Sequence, residues 1–74
     1  MARIDSFAET RMERNSVHNP VSATYTVFTS ADGETYLQID TYGSDERKIV
    51  GKKSQSIQLS PSGLAALREI LDRL

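Results

Sequence analysis

The sequence predicts an α+β fold: an antiparallel three- to four-stranded sheet with a C-terminal helix and a short N-terminal helix, assembled as a dimer. Three observations lead there. Two β-rich runs flank Asp32-Gly33, a proline-led leucine stripe follows Ser60, and a chain of 74 residues has no cysteine with which to brace a small core.

This length supports one domain at most. So small a core stabilises a fold by only roughly 3–5 kcal/mol, and small domains commonly add disulfides, a metal or self-association. With no cysteine, and His18 as the only histidine, disulfides are excluded and zinc has no ligand set. Self-association is the support that remains, so a homodimer is expected.

Residues 1–19 read as a short helix followed by a polar turn. Ser6 with Glu9 three residues later fits a capping box. Ile4, Phe7 and Met12 form a narrow apolar edge, and Arg3, Arg11 and Arg14 a basic side. Pro20 ends the segment, because it pushes Asn19 toward an extended conformation. A single β-β-β-α domain then occupies 20–74. Residues 22–29 are rich in β-branched and aromatic types and read as a strand. Asp32-Gly33 is a hairpin signal, since both residues tolerate positive φ, and 35–42 make the returning strand. Residues 43–53 form a loop, and a third strand covers about 54–59. Ser60 supplies an N-cap and Pro61 the first helical position. Leu64, Leu67, Ile70, Leu71 and Leu74 then repeat at helical spacing. That stripe has two structural readings: it covers its own sheet, or it pairs with a copy of itself as the dimer interface.

Taken as a two-residue turn, Asp32-Gly33 sets the hairpin register. Phe28 faces Leu37 and Thr26 faces Ile39 on the core side. Thr29 with Tyr36, Val27 with Gln38 and Tyr25 with Asp40 lie on the other side, which Tyr42 joins by alternation. All three tyrosines then share the face away from the core. In the third strand Gln55, Ile57 and Leu59 look inward, and Ser54, Ser56 and Gln58 outward.

Charge and chemistry narrow the function. The net charge of −1 excludes a bulk field drawing the molecule to nucleic acid or membrane, so any phosphate contact rests on a local patch. No apolar run approaches the ~20 residues of a membrane span. The N-terminus lacks a signal-peptide core, and the expected location is cytoplasmic. Catalysis has little to stand on, and a non-enzyme is expected. His18 has no nucleophile beside it and reads better as a turn residue. Asp40, Asp45 and Glu46 read as solvated carboxylates without metal spacing. No cofactor or metal is expected.

What remains is binding. Tyr25, Tyr36 and Tyr42 offer flat π-faces, Gln38 and Gln58 hydrogen-bonding amides, and Arg47, Lys48, Lys52 and Lys53 a basic loop beside them, with Arg11 and Arg14 extending the patch. Single-stranded DNA or RNA needs that combination, because each base presents a stacking face and each linkage a negative charge. The plainer reading of the tyrosines is cross-strand packing. The rival functions are a protein-interaction module, an inhibitor or accessory subunit whose protein partner docks on the same tyrosine face, and a pocket at the dimer junction for a small nucleotide-like ligand.

The order of these pieces resembles a known family. Leu37-Gln38-Ile39-Asp40, a polar loop reaching Gly51-Lys52-Lys53, then Ile57-Gln58-Leu59-Ser60 and a helix look like the positive-cofactor-four (Whirly-like) transcriptional coactivators, over about residues 24–74. The resemblance implies single-stranded-DNA binding through the β-sheets of a dimer joined by its C-terminal helices. Gly51 and Lys53 match the start of the family's last strand, Ile57 and Leu59 its body, Ser60 the cap and Leu67 the helical leucine. The chain departs where Ser54-Gln55 are inserted, Ser56 replaces Gly, Leu64 stands for Trp and Thr41-Tyr42 replaces Arg-Glu.

Overall fold

A computed structural model describes residues 1–43 and 53–74. The elements are β1 (Ala2–Ile4), β2 (Ala23–Thr29), β3 (Thr35–Tyr42), β4 (Lys53–Leu59) and α1 (Pro61–Asp72). Four strands form one sheet in the order β1-β4-β3-β2, and the helix packs over β4 and β3. The fold is α+β.

Two expectations about the sheet and the N-terminus are corrected. The sheet is mixed: β2–β3 and β3–β4 are antiparallel, but β1 lies parallel to β4, with Ile4 beside Leu59. No short N-terminal helix forms. Residues 2–4 are spent on the sheet, and residues 5–22 have no regular structure and are exposed. The reason is energetic. A helix shorter than ~12–15 residues is marginal unless packing supports it, and the Ser6–Glu9 segment offers few apolar residues to bury. Pairing Ile4 beside Leu59 half-buries Ile4 and covers the β4 edge instead.

The hairpin loop is one residue longer than its Asp-Gly signal implies. Ser30 N–H donates to the Glu34 carbonyl at 2.8 Å, and Gly33 N–H donates to the Ser30 carbonyl at 3.0 Å. Gly33 takes φ +86°, the left-handed region. The loop is therefore Ala31-Asp32-Gly33, a type I turn followed by a left-handed glycine. Asp32 supports it by accepting from the Ser30 hydroxyl and, at 3.3 Å, from Glu34 N–H. Those bonds, the Ser30 hydroxyl first, hold its carboxyl below the usual aspartate range.

One extra loop residue slides β2 by one place and turns all its side chains over. Val27 pairs with Leu37, Tyr25 with Ile39, Thr26 with Gln38 and Phe28 with Tyr36. The expected grouping of all three tyrosines on one face is thus corrected. Tyr36 and Tyr42 share a face, and Tyr25 lies on the other, beside Ile39.

The apolar face carries Val27, Leu37 and Leu59 in one row and Tyr25, Ile39 and Ile57 in the next. Helix α1 covers its β4 side. Ser60 caps the helix as expected, accepting from Gly63 N–H at 3.2 Å, and its own N–H donates to the Ile4 carbonyl at 3.2 Å. Gly63 presses on β1 so closely that a Cβ there would collide with the Ile4 carbonyl oxygen. Leu59, 3% exposed, is the only buried apolar side chain among the described residues. Leu64 and Leu67 are half-buried, while Ile70, Leu71 and Leu74 are exposed.

Candidate nucleic-acid interface

The face opposite α1 is polar and nearly continuous across the sheet. Alternation along β3 sets Tyr36, Gln38, Asp40 and Tyr42 on it. Pairing adds Phe28, Thr26 and Thr24 from β2, Gln58 and Ser56 from β4, and Arg3 from β1. β4 contributes one more residue through a bulge. Thr41 pairs with Gln55 but Tyr42 pairs with Lys53, so Ser54 is the extra residue. Strict alternation from Ser56 would send Lys53 to the apolar face; the bulge returns it to the polar one.

Asp40 is the acceptor on which this face converges. It is 3% exposed and takes hydrogen bonds from Ser56 Oγ at 2.5 Å and from Gln38 Nε2 at 3.0 and 3.2 Å. Lys53 Nζ lies 3.3 Å from its other oxygen. The Ser56 hydroxyl first, then Gln38 and Lys53, hold the carboxyl below the usual aspartate range, against the opposing effect of burial. Gln58 Nε2 in turn donates to Gln38 Oε1 at 3.0 Å. The chain Gln58 to Gln38 to Asp40 thus points every donor one way and sets the plane of both amides.

An aromatic pair borders this network. The rings of Phe28 and Tyr36 stack with centroids 5.6 Å apart and 14° between their planes. At the far end of β3 the Tyr42 hydroxyl lies 2.9 Å from Thr24 Oγ1. Arg3, at the β1 edge, pairs with Asp5 at 3.2 Å. Met1, Ala2 and Arg3 with Gln38, Ser56 and Gln58 line a shallow hollow of about 270 Å³.

Of the residues singled out in the sequence, Tyr36, Gln38, Tyr42, Lys53 and Gln58 meet on this face, and Tyr25 does not. Arg47, Lys48 and Lys52 lie outside the described residues. Arg11 and Arg14 stand in the exposed irregular segment. Sequence reasoning missed Phe28, assigned to the core by the wrong register, and Arg3, assigned to a helix. No family model matches the chain, and no curated protein or solved structure matches it either.

Proposed function

We propose that the protein binds single-stranded nucleic acid, with little sequence preference, on the polar face of its sheet, and acts as a homodimer. The observation that carries this reading is the stacked Phe28–Tyr36 pair beside two amides held in one orientation. Bases lie on the aromatic rings, Gln38 and Gln58 offer hydrogen bonds to base edges, and Arg3 and Lys53 approach the backbone. The basic loop residues Arg47, Lys48 and Lys52 and the resemblance of 24–74 to the positive-cofactor-four coactivators belong to the same reading. Tyr25 has no part in it.

A protein partner is the second reading. Arg3 and Lys53, the cations of this face among the described residues, are already paired with Asp5 and Asp40 in a chain of net charge −1, which suits a protein surface better than a phosphate backbone.

Fluorescence anisotropy with a labelled oligonucleotide at two salt concentrations separates the two. Binding to single strands that weakens with salt is expected. Tyr36→Ala is expected to cost about 1–3 kcal/mol of affinity, the contribution of one stacked base. Tyr25→Val, on the opposite face, is expected to leave affinity unchanged. No binding at low salt, or equal losses from the two variants, overturns the proposal.

A further inference from the structure

We propose that the homodimer is sewn together along β2, two copies pairing antiparallel across a two-fold axis to make one eight-stranded sheet. This rests on the homodimer of the proposed function and deepens it, placing the seam along β2 and not along α1, where the family resemblance implies it.

β2 is an outer strand of the sheet. Which of its peptide groups face outward follows from two bonds. Tyr42 N–H donates to the Ser22 carbonyl at 3.1 Å, and Ser30 N–H donates to the Glu34 carbonyl at 2.8 Å. The even-numbered residues of this stretch therefore turn their N–H and C=O groups toward β3. Ala23, Tyr25, Val27 and Thr29 turn theirs to the open edge.

Natural edge strands are kept from pairing by charge, proline, bulges or shortness. The other edge, β1, is three residues long and carries Arg3. β2 has none of these devices. Ala-Thr-Tyr-Thr-Val-Phe-Thr contains no charge and no proline, and its pairing with β3 is unbroken over seven residues. Tyr25 is 74% exposed and Val27 60% exposed. They flank the outward-facing backbone on the apolar face, where the helix does not reach.

A second copy fits this edge in a particular register. With the two-fold axis at Thr26, all seven residues find partners: Ala23 opposite Thr29, Tyr25 opposite Val27, Thr24 opposite Phe28, and Thr26 opposite itself. Every outward-facing residue then meets another outward-facing one, so each open donor finds an acceptor. Tyr25 packs on the partner's Val27 on the apolar side. The polar faces of the two subunits become one surface.

The pairing is tested on the full 74-residue chain by sedimentation and by cross-linking. The parent is expected to sediment at twice the chain mass. Val27→Pro removes one outward N–H and leaves the bonds to β3 intact; it is expected to be monomeric with an unchanged circular dichroism spectrum. Should that variant unfold, Thr26→Cys decides. Thr26 sits in a non-hydrogen-bonded pair with its own copy, where Cα atoms approach to about 4.5 Å, within disulfide reach. Mild oxidation is expected to convert Thr26→Cys to a covalent dimer and to leave Leu71→Cys monomeric on a non-reducing gel. A monomeric parent, or cross-linking of Leu71→Cys in preference to Thr26→Cys, overturns the β2 seam. Oligonucleotide affinity is read separately by anisotropy: a monomeric parent that still binds single strands overturns the seam alone, and a β2 dimer that binds none overturns the nucleic-acid reading alone.

Discussion

Single residues carry much of this fold because so few are buried. Asp40 shows how a carboxylate can sit at 3% exposure on a sheet face: Ser56, Gln38 and Lys53 together satisfy its oxygens. Its depressed pKa has a direction in pH. The ionised form is favoured by folding, so the stability it contributes is fully present above the unfolded value of about 3.9. That stability is lost as pH falls from there through the lower folded value. Urea melts between pH 7 and pH 2 are expected to show the parent losing stability below about pH 4, with a smaller acid-induced loss in Asp40→Asn. That variant is also expected to be less stable than the parent at neutral pH, because one acceptor oxygen becomes a donor facing other donors. Asp40, Gln38 and Gln58 were legible as outward polar residues from alternation alone. Their mutual hydrogen bonds were not, since these depend on which strands lie side by side.

Elements followed local chemistry where that chemistry was self-contained. The strand over 35–42 and the helix opened by Ser60-Pro61 stand where residue type and capping placed them. β1 was not legible, because three residues are too few to show a period and its partner β4 lies more than fifty positions away in the chain. The hairpin failed more subtly. Asp32-Gly33 does mark the turn, but Ala31 joins the loop, and this one residue moved Phe28 to the polar face and Tyr25 off it. Gly33 is the pivot of that geometry, at φ +86° and with no atom within 4 Å of the position a Cβ would take. Its substitution by Ala therefore meets no clash and carries only the backbone term, about 1–2 kcal/mol. Equilibrium denaturation is expected to read that loss for Gly33→Ala and a smaller one for Gly33→Asn, whose side chain tolerates the left-handed region.

At the scale of the whole molecule the chain is a thin slab, with extents of 39 × 38 × 18 Å. Its Cα radius of gyration of 14.7 Å exceeds the roughly 11 Å of a compact domain this long. The irregular segment 5–22 is exposed, and a sheet with one helix on one face buries little. In the proposals above, the β2 edge takes a second copy and the polar side takes a ligand. This division rests on the register, which places Tyr36, Gln38 and Gln58 together and Tyr25 apart. Chemical-shift mapping of the isotope-labelled protein against an oligothymidine at low salt reads the division in one titration. The side-chain amides of Gln38 and Gln58 and the ring of Tyr36 are expected to move together while Tyr25, Ile39 and α1 stay still. Shifts confined to Tyr25, Val27 or the helix, or no shifts at all, would contradict the assignment of the polar face as the binding surface.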